Sequence, residues 1–389
     1  MRPLAGKTDV MTFELTEDQQ ALIDTVRDFA ADRIAPHALE WDAAKHFPVD
    51  VLREAGELGL GGLYVAEDYG GTGLSRADAV LIFEELAKAD PTIAAYISIH
   101  NMIVWMVDSF GTDKQREEWV PQLASMESLG SYCLTEPGVG SDAAALVTKA
   151  TREGDEYVLN GVKQFISGAG TSALYIVMAR TGAPGARGIS AFLVPGDAPG
   201  LSFGLNEKKM GWNAQPTSQV VLKNVRVPAE SRLGEEGAGF GIAMKGLNGG
   251  RLNIGACSLG GGQAALEKTV SYLKSRTAFG GRLADKEALM FDLADMEMKL
   301  EAGRSLLMRA AEALDRNDRD ALRLCAMAKR VATDAGFEVA NQAIQLHGGY
   351  GYLHEYGVEK IARDLRVHQI LEGTNEIMRL IVGRMLVEG

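Results

Sequence analysis

The segment Leu371-Glu372-Gly373-Thr374-Asn375-Glu376 places a carboxylate at the junction of two helical patterns, one over 358–370 and the other over 376–387. Gly373 suits the position just past a helix C-terminus, and Thr374 suits an N-cap. Taken alone, a Glu-Gly-Thr turn is capping chemistry before it is catalysis. A second segment lies about 240 residues upstream: Tyr132-Cys133-Leu134-Thr135-Glu136-Pro137-Gly138-Val139-Gly140-Ser141. Gly138 and Gly140 allow close backbone approach, while Thr135 and Ser141 bring hydroxyls. Exposed N–H groups with little side-chain bulk suit a phosphate or a polar ring edge. The segment is neither GxGxxG nor a P-loop, so by itself it also reads as a tight loop leading into a strand.

Composition narrows the function classes. The 389 residues are 46% hydrophobic and 24% charged, with net charge −12. These are values of an ordinary globular protein of two or three domains. A nucleic-acid partner is not expected, because the basic residues form no concentrated face to neutralise phosphates. No apolar run is read as reaching the roughly 18 residues that span a bilayer, so no membrane insertion is expected. Met1–Val10 mixes Arg2, Lys7 and Asp9 and has no apolar core, so neither a signal nor a transit peptide is expected. Cys133, Cys257 and Cys325 are isolated and odd in number, which argues against a disulfide framework and a metal site. A reducing cytoplasm fits.

The elements that must position the two segments fall into three zones. Residues 12–130 are helical, with Thr16-x-x-Gln19 as a capping box before an amphipathic run, and Pro91 to Phe110 as a further helix. Residues 131–240 carry β-branched runs, and Asn160-Gly161 is read as the turn of a hairpin joining 156–159 to 162–166. Residues 241–389 return to long helices, read as 255–276, 286–314 and 318–346, forming a bundle of about four. Met290, Met296, Met298, Met308 and Met327 read as core filling. The fold class is α+β, with an N-terminal helical domain, a middle β domain and a C-terminal helical bundle.

From about residue 12 to its end the chain resembles the acyl-CoA dehydrogenase family. The motifs are Tyr-Cys-Leu-Thr-Glu-Pro-Gly-Val-Gly-Ser (132–141), Phe-Ile-Ser (165–167), Gln-Leu-His-Gly-Gly-Tyr-Gly (345–351) and Leu-Glu-Gly-Thr (371–374). Within the family, the stretches 165–170, 209–216, 246–251 and 366–372 are most similar to the branch acting on isobutyryl-CoA. The resemblance implies FAD-dependent α,β-dehydrogenation of a short branched-chain acyl-CoA, with electrons passed to an electron-transfer flavoprotein. The alternatives are 2-methylbutyryl- or straight short-chain acyl-CoA, and more remotely a non-catalytic flavin-binding member.

Each role is carried over by position. Glu372 matches the base that removes the α-proton, its own N–H helping to stabilise the developing enolate. Some members place the base just before the arginine aligned with Arg251, where this chain has Gly250. Tyr132, Cys133, Leu134, Thr135, Gly140, Ser141, Phe165, Ile166 and Ser167 match flavin contacts, while Glu136 reads as structural. Arg276, Phe279, Gln345, Leu346, His347, Gly348 and Gly349 match contacts to a neighbouring subunit's FAD, implying a homotetramer. Thr374, Asn375 and Glu376 match the final turn over the cofactor. Ser141, Asn248, Gly249, Gly250, Arg251, Gly373 and Arg384 match the substrate side, with 248–250 as a pocket floor relieved of bulk.

Overall fold

The computed structural model describes residues 15–388, so the readings of Met1–Val10 and of residues 12–14 and 389 lie outside it. Thr16 caps α1 (Glu17–Phe29) with both arms of the expected capping box. A π-turn at Ala30–Ile34 follows, then α2 (Ala38–Ala44), α3 (Val49–Glu57), α4 (Arg76–Ala89), α5 (Pro91–Phe110) and α6 (Asp113–Ala124). The reading that no apolar run reaches bilayer length is corrected by α5, which has that length and composition. It is a core helix instead. Asn101 Nδ2 donates to the Leu60 carbonyl at 2.7 Å, and the buried ring of His100 meets the Leu123 carbonyl at 2.7 Å.

The middle of the chain forms β1 (Gly130–Cys133), β2 (Lys149–Glu153), β3 (Glu156–Ser167), β4 (Leu174–Arg180), β5 (Ile189–Pro195), β6 (Leu201–Phe203), β7 (Thr217–Pro228) and β8 (Arg232–Leu233). Their order is β6-β7-β3-β2-β4-β5-β8, with β1 parallel beside β4. Strand β4 is buried on both faces. Leu174, Ile176 and Met178 join a core shared with α5 and α6, while Tyr175, Val177 and Ala179 fill the core of the opposite face.

The expected Asn-Gly hairpin is corrected. Asn160 and Gly161 lie inside β3, which runs on against β7 with its register slipping between Leu159 and Gly161. A Cβ at Gly161 would stand 2.3 Å from Thr148 Oγ1, so glycine serves clearance there rather than a turn. Asn160 Oδ1 accepts the Asn224 N–H at 2.8 Å. The turn is Gly154-Asp155, between β2 and β3, with Gly154 at φ 64°.

Helix α7 (Gly239–Ser275) begins well before the expected Gly255. The β9 (Thr277–Ala278) and β10 (Gly281–Arg282) hairpin follows, then α8 (Glu287–Asp315), α9 (Ala321–His347), α10 (Val358–Arg366) and α11 (Asn375–Glu388). Small residues let these helices touch: a Cβ at Gly260 would lie 2.1 Å from the Glu84 carbonyl of α4, and one at Gly336 would lie 2.2 Å from the Ser258 carbonyl. A buried cluster joins the three zones. Lys360 Nζ bridges Asp90 at 2.9 Å and Asp364 at 2.7 Å, and Asp364 accepts the Trp212 N–H at 2.6 Å. That cluster sits on α10, immediately before the turn that carries Glu372.

Candidate active site

The expected helix over 358–370 stops at Arg366 and tightens into a 3-10 turn over Val367–Gln369. The chain then reverses through Glu372 at φ 56° and Gly373 at φ 90°. A glutamate in the left-handed region costs about 1–2 kcal/mol, so the surroundings must hold it there. They do so from two helices. From α7, Arg251 Nε donates to the Glu372 carbonyl at 3.2 Å and Nη1 to Asn248 Oδ1 at 2.8 Å. From α9, Lys329 Nζ donates to the Gly373 carbonyl and to Asn375 Oδ1, both at 2.9 Å. Thr374 Oγ1 then accepts the Ile377 N–H at 3.3 Å and starts α11 as an N-cap.

This clamp leaves the Glu372 carboxylate unusually placed. Its Oε2 is buried without a hydrogen-bond partner among the described residues, although the residue as a whole is only partly covered. Burial raises its pKa to about 7, against the opposing pull of the Arg251 and Lys329 cations. A carboxylate poised near neutrality and short of partners is equipped to take a proton. The Glu372 N–H also donates to no acceptor among the described residues. Gly250 is what makes room: a Cβ there would stand 2.6 Å from Glu372 Oε2.

The 132–141 segment crosses β1 and the loop beyond it. Tyr132 Oη is buried without a partner among the described residues, and burial together with the Glu372 charge drives its pKa well above the usual phenol value. The loop runs beside the end of β3: the Gln164 N–H donates to the Thr135 carbonyl at 2.8 Å, and Ser131 Oγ to the Ser167 carbonyl at 2.6 Å. A register shift between Lys163 and Ile166 turns Phe165 outward at φ 60°, leaving it 64% exposed. Gly140 and Ser141 are exposed, and open space surrounds the position of a Cβ at Gly138 or Gly140. The side chains of Cys133, Leu134 and Ile166 are buried in core, so only their main chains can reach a ligand. Glu136 is structural: it pairs with buried Lys163 at 2.9 Å and accepts the Val147 and Thr148 N–H groups. An orphaned tyrosine hydroxyl, an everted aromatic and an unobstructed glycine loop fit a planar, polar ring system.

A second group gathers elsewhere. Arg276, Phe279, Gln345, Leu346, His347, Gly348 and Gly349 line one cavity of about 690 Å³. Arg276 lies over the Tyr350 ring at 5.4 Å, while His347 bonds the Ala343 carbonyl and stacks on Tyr272 at 4.5 Å. Phe279 stands 93% exposed at φ 52°.

Two expected site residues are placed differently. The Asn375 side chain is spent within the fold, with Nδ2 donating to Thr333 Oγ1 and Asp334 Oδ1, so its amide faces α9 rather than an open cleft. Arg384 is exposed, nine residues into α11 and therefore about 14 Å along the helix axis from the turn. Glu376 is exposed in the first turn of α11.

Sequence reasoning missed Lys329. Lys329 had a legible signal, because it continues the apolar stripe Ala321, Leu324, Cys325, Ala328 and Ala332 at helical spacing. A lysine on such a stripe must find partners inside.

Comparison with known proteins finds relatives over most of the chain. Family models described as acyl-CoA dehydrogenase N-terminal, middle and C-terminal domains match residues 16–127, 131–225 and 237–387. The mitochondrial isobutyryl-CoA dehydrogenase of Bos taurus is 53% identical over 374 residues, covering 96% of this chain and 90% of that protein. The protein of the same name from Dictyostelium discoideum is 53% identical over 373 residues, with the same coverage of 96% and 90%. Butyryl-CoA dehydrogenase from Megasphaera elsdenii superposes with a TM-score of 0.94 at 39% identity, over 97% of this chain and 100% of that one. A chain solved under the heading of the electron transferring flavoprotein of Acidaminococcus fermentans superposes at 0.95 with 38% identity, again over 97% and 100%.

Proposed function

The chain belongs to the acyl-CoA dehydrogenase family, and we propose that it dehydrogenates isobutyryl-CoA to methacrylyl-CoA, a step of valine catabolism. It is a flavin-dependent oxidoreductase with FAD as cofactor. Bound FAD supplies the acceptor for the hydride that leaves the β-carbon.

The chain's own residues do the rest. Glu372 takes the α-proton, and the electron pair left behind forms the new α,β double bond as the β-hydride departs. Such a proton is very weakly acidic, so charge building on the thioester oxygen must be met by a donor. The free Glu372 N–H supports that role, a contribution of roughly 3 kcal/mol for one well-placed donor. Arg251 and Lys329 hold the turn, so carboxylate and N–H present themselves in one geometry. Tyr132, Thr135, Gly140, Ser141, Phe165 and the main chain of Ile166 and Ser167 would hold the ring system, and Arg276, Phe279 and Gln345–Gly349 the distal end of a cofactor. The single observation carrying the assignment is the unpartnered Glu372 Oε2 facing a residue without a side chain.

The same reading makes the protein a homotetramer that passes electrons to an electron transferring flavoprotein. Exposed Phe279, Phe291 and Met298 on the β9–β10 hairpin and α8 favour burial against another copy. The three buried, unpaired thiols suit a reducing compartment such as the cytoplasm.

The test is a panel of isobutyryl-, 2-methylbutyryl-, isovaleryl- and butyryl-CoA with a dye acceptor. Isobutyryl-CoA should give the highest kcat/KM. First place for butyryl-CoA would replace the reading with a straight short-chain dehydrogenase.

A further inference from the structure

We propose that Arg76 is the end wall of the acyl pocket and limits the substrate to short acyl chains, a role that rests on Glu372 being the base. Arg76 opens α4, where the Asp315 carboxylate at the end of α8 accepts the main-chain N–H groups of Arg76 and Ala77 at 2.8 and 3.3 Å. Its side chain turns inward and the residue is only 9% exposed. No ion pair involves its guanidinium among the described residues. It is held by aromatic faces instead, 3.4 Å from the centre of the Tyr64 ring and 5.1 Å from that of Trp105. Asn253 Nδ2 fixes the Tyr64 hydroxyl at 3.0 Å.

A buried cation without an anion is costly, so its position calls for a function. The adjacent glycines of α7 supply one. A Cβ at Gly250 would stand 2.6 Å from Glu372 Oε2, and a Cβ at Gly249 would stand 2.4 Å from Arg76 Nη1. Consecutive Cα atoms are 3.8 Å apart, so the carboxylate and the guanidinium can be no more than about 12 Å from each other. Between them runs a strip of helix without side chains. An acyl group with its α-carbon at Glu372 and its chain along this strip meets Arg76 after a few carbons. Going further means lifting the guanidinium off Tyr64 or pressing hydrocarbon against a charge that pairs with no carboxylate among the described residues. A leucine at this place could yield by changing rotamer, whereas an arginine pinned by two rings and a helix start does not.

The experiment measures kcat/KM of FAD-loaded wild-type and Arg76→Leu enzymes on isobutyryl-, butyryl-, hexanoyl- and glutaryl-CoA, with flavin content and melting temperature as controls. The expected result is a hexanoyl-to-butyryl ratio raised at least about ten-fold, mainly through a lower KM for hexanoyl-CoA, since each accommodated methylene is worth about that much or more. If Arg76→Leu does not accumulate as holoenzyme, Arg76→Lys, which keeps charge but loses the planar stack, should raise the same ratio by a smaller factor. An unchanged ratio in the folded variant overturns the inference. So does a wild type that favours glutaryl-CoA and loses that preference on substitution, since Arg76 would then be a carboxylate ligand. A wild type inactive on every acyl-CoA overturns the reading of Glu372 as well, which separates the two failures.

Discussion

Gly250 and Glu372 share one space: a methyl group at residue 250 would lie 2.6 Å from Oε2 and 2.8 Å from the carboxyl carbon of Glu372. Two segments far apart in sequence are therefore sterically interdependent. A side chain at one position excludes the present rotamer of the other, which is the relation expected of alternative seats for one catalytic carboxylate.

Gly250→Ala should displace the carboxylate without touching the flavin loops. Substrate-driven flavin reduction is expected to fall about 100-fold, the usual order for a misplacement near 1 Å, while FAD content stays at the wild-type level. Rapid-mixing absorbance at the flavin band measures it. In the reverse direction, Glu372→Gly combined with Gly250→Glu should recover part of the rate lost in Glu372→Gly alone.

Lys329 should set the pH dependence. Burial raises the Glu372 pKa to about 7, while the Arg251 and Lys329 cations act against that rise. The base must be ionised, so kcat/KM for the wild type should climb with pH through about 7 and then level. Lys329→Met removes one cation, which raises the Glu372 pKa further and moves the climb to higher pH. A profile that keeps its midpoint while losing amplitude would show Lys329 acting on the turn's shape alone.

The larger architecture was legible because it rests on periodicity. Strand β4 shows its two-sided apolar pattern, and the capping box of Thr16 and Gln19 marks the start of α1. Two failures have definite physical causes. Asn160-Gly161 carries the local preference of a turn, but β7 pairs with both halves of β3 and Thr148 needs the space beside Gly161. The part of α7 before Gly255 was missed because its glycines, Gly246, Gly249 and Gly250, lower local helix propensity while serving contacts with Met106, Arg76 and Glu372 that only the fold reveals. Motif resemblance pointed to Glu372, but not to the neighbours that hold it. Lys329 and Arg76 act through residues distant in sequence, and no local pattern marks their partners.

The Glu136–Lys163 pair should matter for stability and not for proton transfer. Both side chains are essentially inaccessible and lie 2.9 Å apart. Lys163→Met leaves a buried carboxylate with only two N–H donors, and the expected loss is about 3 kcal/mol in denaturant unfolding of the holoenzyme. Burial pushes the Glu136 pKa up, but Lys163 and the N–H donors outweigh it and hold the folded value below the ordinary 4.5. The stabilisation is thus complete above about 4.5 and fades as pH falls through the lower folded value. Wild type should lose stability in that acidic window more steeply than the variant.

The assembly reading predicts a tetramer by light scattering at micromolar concentration. Phe279→Asp, which puts a charge on an aromatic 93% exposed in the single chain, should lower both tetramer content and FAD retention. A monomer that keeps full activity and FAD would contradict the assignment of Arg276, Phe279 and Gln345–Gly349 to a neighbour's cofactor.

The central claim is that Glu372 removes the substrate proton, and single-turnover flavin reduction by isobutyryl-CoA in Glu372→Gln tests it most directly. Glutamine keeps the shape of the turn and the Glu372 main-chain N–H, so FAD and acyl-CoA should still bind. Bleaching of the flavin should slow by at least about 10³-fold, the upper range for loss of a positioned general base. Bleaching within a few-fold of wild type would contradict the account.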